Sequence, residues 1–198
     1  MSRRSKSVSD AGAAAPLKQR LLHHARALLE EAGPAHLTLR ALGARAGVSH
    51  MAAYRHFANK EDLLAAIAAQ GFAELTDALE AAAGRAREGA TGVAYVRFAL
   101  RHPQLFQLMF GGGRERLEET ANGAALRAQA EAAWATFGAI MTGGAADRRA
   151  QRLRTLLWAA VHGLAHLALA GEIDLPDPDD PAFDEEVAAI LTSAPGET

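Results

Sequence analysis

The residues best placed to do chemistry with another molecule lie between Leu37 and Leu64. Two short segments with one apolar side, Leu39–Ala46 and Ser49 to about Phe57, flank the dipeptide Gly47-Val48. Their inward side is read as Leu39, Leu42, Ala46, Val48, Ala53 and Phe57. The outward side offers short or hydrogen-bonding groups that let backbone approach a groove. Two short helices joined through a glycine-containing turn form a helix-turn-helix, whose second helix can enter the major groove of DNA. A second pair of chemically capable residues is His162 and His166, four apart on one helical face, a spacing that can bind zinc. A metal site needs a third ligand and usually an outer shell, and no Glu follows His162 in the protease manner, so no metal is expected. Core, interface and ligand-pocket roles stay open for both.

Local signals say how the first group is positioned. From Pro16, the residues Leu17, Leu21, Leu22, Ala25, Leu28, Leu29 and Ala32 recur on one helical face, and Gly33-Pro34 ends the run. Thr38 can cap the helix Leu39–Ala46, and Ser49 the helix after it. Gly47 supplies the left-handed backbone the turn needs. Asn59 can cap a long fourth helix running from Lys60 to about Ala82, with Asp62 completing a capping box. Further helices are predicted over Thr91–His102, Pro103–Phe110, Arg114–Thr142 and Ala146–Gly171. Gly111-Gly112-Gly113 and Gly143-Gly144 act as breakers, and Pro103 stands at a first helical position. The acidic, proline-rich run Asp174–Pro181 reads as an extended linker. A short last helix carries the stripe Phe183, Val187, Ile190 and Leu191. Nothing alternates with period two, so the fold class is all-α. A three-helix helix-turn-helix module (16–62) precedes a helical ligand-binding and dimerisation body (63–194), after a basic tail (1–15) expected to be disordered.

Bulk properties narrow the function. The 198 residues carry a net charge of −2, but unevenly. Residues 1–60 hold ten Lys/Arg against three Asp/Glu and five of the eight His, whereas residues 61–198 hold eleven against twenty. That segregation suits an N-terminal module that meets a polyanion. The chain has no cysteine, which excludes disulfide and thiolate chemistry. No run reaches the roughly 18 apolar residues of a membrane span, and no apolar segment follows the basic start. A cytoplasmic protein with no membrane partner is expected.

Leu37-Thr38-Leu39-Arg40, Ala46-Gly47-Val48-Ser49, Tyr54-Arg55-His56-Phe57 and Asn59-Lys60-Glu61-Asp62-Leu63-Leu64 together resemble the signature of the TetR/AcrR family of bacterial regulators. In the body, Arg97–Phe106 and Trp158-Ala-Ala-Val-His162-Gly163-Leu164 resemble the subset whose ligand-binding domain is named for a Trp–His–Gly (WHG) motif. The resemblance runs from about Lys18 to Gly171. It implies that Arg40, Ser49, His50, Met51 and Ala52 face base edges. His50 would donate to a purine acceptor, and Met51 and Ala52 would touch a thymine methyl. Thr38, Tyr54, Arg55, His56 and Lys60 would hold phosphates. The run Met51-Ala52-Ala53 departs from a richly polar reading surface and leaves more of the specificity to Arg40, His50 and DNA shape. Each residue also has a plainer role: Ser49 as a cap, Tyr54 and Phe57 as core aromatics, His56 in an internal bond. Lys60 opposes the dipole at a helix start, which favours a phosphate partner.

For the body the resemblance implies an effector cavity, and the apolar bulk suits a small, hydrophobic ligand. Phe98, Phe106, Met109, Phe110, Trp134, Phe137, Trp158 and His162 are the candidate lining. A homodimer is expected through Ala159, Gly163, His166, Ala170, Val187 and Leu191, which would set two reading heads ~34–36 Å apart on a palindromic operator in double-stranded DNA. No cofactor is implied. Three functional classes stand on the residues: a ligand-released, sequence-specific regulator acting as a repressor; a non-specific architectural DNA-binding protein; and a metal- or His-dependent enzyme. The third lacks a nucleophile motif, a Gly-rich phosphate loop or a carboxylate pair, so no enzymatic activity is expected. The resemblance favours the first.

Overall fold

The computed structural model describes residues 16–84 and 89–193, and the backbone but not the side chain of His50. The expectation for residues 1–15, and the last residue of the expected body, lie outside the described residues. The described residues form ten helices and no strands: α1 (Leu17–His36), α2 (Leu39–Arg45), α3 (His50–Tyr54), α4 (Lys60–Ala83), α5 (Ala90–Arg101), α6 (Pro103–Phe110), α7 (Arg114–Glu118), α8 (Gly123–Thr142), α9 (Arg148–Leu169) and α10 (Phe183–Thr192). The all-α reading holds. Helix α1 contains the expected break, because Gly33 (φ 73°, ψ 173°) is not helical and only a last turn follows Pro34.

Helix α4 is the hub. Asp62 to Ala69 are all buried, as are Phe72, Leu75 and Leu79, so the helix has neighbours on nearly every side. It packs along α8 over much of its length and also touches α1, α5, α6 and α7. Its alanines let backbones approach, and each buried Leu or Phe contributes about 1.5–3 kcal/mol relative to exposure. Gly71 marks the tightest approach to α6: a Cβ there would lie 2.7 Å from Met109 Sδ and 2.8 Å from a Leu105 methyl. A smaller second core joins Val93, Val96, Leu164, Phe183 and Val187, seating α10 on α5 and α9.

Three expectations are corrected. The single helix predicted from Arg114 to Thr142 is broken at Glu119–Asn122. Thr120 Oγ1 donates to the Leu117 carbonyl (2.8 Å), and Asn122 is recruited elsewhere, as described below. The acidic run 174–181 is not an extended linker but a strap folded onto α5. Asp180 N donates to the Asp177 carbonyl (2.8 Å), Arg97 Nε donates to the Pro178 carbonyl (3.0 Å), and Arg101 pairs with Asp179. Short Asp side chains that bond to their own turn favour such a bend over extension. On α10, Phe183 and Val187 are fully buried, but Ile190 faces solvent at 42% exposure and so is not part of the inward stripe.

Candidate DNA-reading head and effector core

The helix-turn-helix is assembled by the local signals expected of it. Thr38 Oγ1 accepts from Ala41 N (3.0 Å) to start α2, and Ser49 Oγ accepts from Ala52 N (3.3 Å) to start α3. Gly47 takes φ 67°, and Val48 N closes the turn on the Gly43 carbonyl (2.9 Å). Leu39, Leu42, Ala46, Ala53 and Phe57 are buried against Leu21, Leu22 and Leu29 of α1, and Val48 packs beside them. This core fixes the outward face of α3 and α2.

On that face Met51 is 58% and Tyr54 49% exposed, unusually high for residues so apolar. Arg55 beside them, and Arg40 on α2, are exposed as well. Thr38 and Ser49 are exposed despite capping; each hydroxyl accepts the amide and keeps its own proton to donate. His56, in the turn after α3, and Lys60, the first residue of α4, are half-buried. The side chain of His50 lies outside the described residues. Ala52 is corrected: it is 9% exposed and faces inward, because the five-residue α3 turns Ala52 and Ala53 to the core together. A methyl so placed does not reach a thymine. Arg45, one turn beyond Arg40, forms a two-pronged pair with Glu31 at 2.5 and 2.6 Å.

Two carboxylates join this head to the body, and the local sequence marks the distant partner of neither. Asn59 Oδ1 accepts from Asp62 N (2.8 Å), the expected half of the box. The Asp62 carboxylate, however, does not return to Asn59 N. It accepts from Ala58 N (3.1 Å), Asn122 N (2.9 Å) and Asn122 Nδ2 (2.8 Å), tying the start of α4 to the α7–α8 turn. Burial alone raises its pKa, but these donors and the Lys18 charge outweigh it and hold the carboxyl below its ordinary value. Glu30 of α1 makes the second tie. Its two oxygens accept from Gln104 N and Leu105 N, each at 3.2 Å, capping α6 from outside. Arg26 steadies Glu30 at 3.6 Å and Glu74 of α4 at 3.1 Å.

In the body, most of the expected lining meets in one aromatic cluster around the fully buried Tyr95. The rings of Phe106, Phe110, Phe137, Trp158 and His162 lie 5.2–6.4 Å from it, and Trp134 stacks edge-on against Trp158 at 5.1 Å. Met109 is buried beside α4. Phe98 is corrected: its ring meets His102 at 5.2 Å and faces a separate cleft of about 390 Å³ between α4, α5 and α10, with Arg97 and Arg101 on its rim. Tyr95 Oη bonds His162 Nδ1 at 2.8 Å, and His162 Nε2 lies 3.1 Å from His166 Nε2. Burial, and then the neighbouring His166, lower the pKa of His162, so it is neutral near pH 7. Burial raises that of Tyr95, which therefore keeps its proton. Among the described residues, no group of three or more His, Asp or Glu could hold a metal ion.

Of the residues expected at a dimer interface, Ala159, His166 and Ala170 are exposed and Gly163 half-exposed on α9. Val187 is corrected: it is fully buried within its own chain, among Val93, Val96, Leu164 and Phe183. Leu191 packs partly into the same cluster. The sequence reading missed the large apolar residues exposed on this side, Leu153, Leu156, Leu167 and Ile190.

A helix-turn-helix carried on a hub helix, itself clamped to a separate helical body, defines the class of one-chain DNA-binding regulators. Residues 21–67 match the model of bacterial regulatory proteins of the tetR family, and residues 89–190 match that of the tetracyclin repressor-like C-terminal domain. The chain belongs to the TetR family of transcriptional regulators. The C-terminal match does not single out the Trp–His–Gly subset. Among solved structures, it is similar to a protein of unknown function from Rhodococcus sp. RHA1, at 28% identity and TM-score 0.70, over 95% of this chain and 94% of the other. It shares its fold with the TetR family regulator PfmR from Thermus thermophilus, at 22% identity and TM-score 0.59, over 87% and 97%. It also shares it with the multidrug binding protein EbrR, solved with imidazole, at 23% identity and TM-score 0.58, over 91% and 97%. No curated protein sequence matches the chain. No helix among the described residues is long and apolar enough to cross a membrane.

Proposed function

We propose that this regulator is a homodimeric repressor that reads a palindromic operator and leaves it when a small hydrophobic ligand enters the body. The observation that carries the proposal is the outward face of α2 and α3, where Met51, Tyr54, Arg55 and Arg40 stand exposed on a buried three-helix core. Arg40, Ser49, His50 and Met51 read bases; Thr38, Tyr54, Arg55, His56 and Lys60 hold phosphates. For dimerisation, Leu153, Leu156, Ala160, Gly163, Leu167 and Ala170 recur on α9 at alternating steps of three and four. That is the spacing of a helix-pairing seam, and the space beyond Gly163 is open for close approach. EbrR, which shares the fold, is a multidrug binding protein, and that agrees with an aromatic effector core here. A ligand wedged among Phe106, Phe110 and Trp158 would shift α6, which bears on α4 at Gly71 and on α1 through Glu30. Release follows to the extent that the ligand prefers the shifted state.

Selection of bound sites from random DNA by the purified chain tests this. The expected result is a palindrome with half-sites about one helical turn apart. Arg40→Ala should then lose discrimination between operator and random DNA, while Lys60→Ala should weaken both alike. Enrichment of no sequence, or equal losses in both variants, would indicate a non-specific architectural protein instead.

A further inference from the structure

Arg154 of α9 is a charge that the fold holds in place and gives no partner. Its Nε is the one buried side-chain nitrogen or oxygen among the described residues without a hydrogen-bond partner. The other half-buried arginines of the body, Arg97 and Arg114, hold the carboxylates of Asp184 and Glu118. The Arg154 guanidinium instead sits over the Trp134 ring at 4.6 Å, which offsets part of its charge but supplies no oxygen for its N–H groups. One turn on from Trp134, Gly138 leaves room for the stem: a Cβ there would lie 2.4 Å from Arg154 Cδ. A buried N–H without an acceptor is destabilising, so one held this firmly points to an acceptor that comes from outside the chain.

The cleft beside Arg154 fits such an acceptor. It holds about 230 Å³ between the end of α8 and the start of α9, with Ala135, Gly138 and Ala139 on one side and Ala146, Ala150 and Gln151 on the other. No acidic side chain among the described residues lines it, and Asp147 turns its Oδ1 to Ala150 N (2.8 Å). Gln151 Nε2 donates to the Ala146 carbonyl (3.3 Å) and keeps a second N–H to donate. Arg148, Arg149 and Arg152 stand exposed on the same helix and draw anions towards it. Ala150, Arg154 and Trp158 share the side of α9 turned to α8, where Trp158 meets Trp134 and Phe137, and not the line of Leu156, Ala160 and Leu167.

We propose that this cleft binds a small monocarboxylate with an apolar body, its two oxygens on the Arg154 fork and its hydrocarbon on the alanine methyls. A planar guanidinium meets a carboxylate with two parallel bonds, and one cation balances one negative charge. A phosphate would bring more charge than the single arginine offsets, and the alanine methyls offer it no donor.

The test titrates the full chain with hexanoate, followed by calorimetry and by the indole N–H resonance of Trp134. Saturable binding of one hexanoate per chain is expected, with the Trp134 resonance shifting in step. Hexanamide, of the same size but uncharged, should bind about tenfold more weakly or worse. Arg154→Met, similar in length and uncharged, should weaken hexanoate by about tenfold or more, and Arg154→Lys, which keeps the charge without the fork, should recover only part. Ala139→Leu fills the cleft and keeps Arg154; it should weaken hexanoate by a similar factor, about tenfold. Arg152→Met, an exposed neighbour, should change binding by less than about threefold. The thermal midpoint of each variant shows that it is folded. Hexanamide binding as tightly as hexanoate, or hexanoate binding unchanged in Arg154→Met, would overturn the proposal. So would sulfate displacing hexanoate at equal concentration, which would mark a site for charge alone. None of these results bears on operator selection, so the regulator reading stands or falls separately.

Discussion

Replacing Asp62 with Ala should loosen the joint between reading head and body more than any other single polar change. The side chain is 2% exposed and accepts three hydrogen bonds, two of them from Asn122. A bond to a charged acceptor is worth about 1.5–3 kcal/mol, but water can reach donors at a partly buried joint, so the three losses do not add in full. A total of about 3 kcal/mol is expected, which for a chain of this size lowers Tm by about 6–12 °C. Denaturant unfolding at fixed protein concentration would measure it, since the proposed dimer would make stability concentration-dependent. Asp62→Asn keeps an oxygen for Asn122 but sets an NH₂ against Ala58 N, and should lose about half as much. The sharper measurement is the double-mutant cycle with Asn122→Ala, where a coupling of about 1–2 kcal/mol is expected. Additive losses would refute the claim that Asp62 acts through Asn122. The acid limb gives an independent check. A carboxyl whose folded pKa is lowered contributes stability above its unfolded value, about 3.9, and loses it as pH falls through the lower folded value. The Asp62→Ala chain should therefore lose less stability than the unaltered chain on acidification below about pH 4.

Glu30→Ala should remove the external cap of α6, lowering stability by about 1 kcal/mol and speeding amide exchange at Gln104 and Leu105. Glu74→Ala, which breaks only a partly exposed pair with Arg26, should cost no more than about 0.5 kcal/mol and leave those amides protected. Unchanged exchange at Gln104 and Leu105 in Glu30→Ala would show that the carboxylate does not hold α6. Gly71→Ala should drive a methyl into Met109 and Leu105, an overpacking cost of about 1–3 kcal/mol that exceeds the gain of up to ~1 kcal/mol in helix propensity. Adding Met109→Ala should restore part of the loss. A stabilised Gly71→Ala chain would mean that α6 yields freely to pressure from α4.

The helix-turn-helix was legible because its signals act within one turn of chain. Thr38, Ser49 and Asn59 cap their helices through an amide three residues on, and Gly47 answers a backbone demand at its own position. Which face each helix buries was less legible. In α3 the run Met51-Ala52-Ala53 gives periodicity nothing to sort, and only the folded packing of the module left Ala52 buried and Met51 outside. The same uncertainty moved Val187 from interface to core and put Ile190 outside. Helix α9 hid the exposed Leu167 because nearly every position in its second half is alanine or another apolar residue.

By itself, the order of residues determined an all-helical chain, the place of the reading head and the start of most helices, since each depends on neighbours a few positions away. The tertiary structure decided what holds the head to the body: Asp62 meets Asn122 across 60 residues and Glu30 meets α6 across 74. It also decided that His162 bonds Tyr95 across 67 residues, since a spacing of four brings His162 and His166 to one face but only packing by Trp158, Phe110 and Phe106 sets how the rings lie. A carboxylate or an imidazole carries no local mark of its distant partner, because hydrogen bonds are directional and the direction comes from the packed helices.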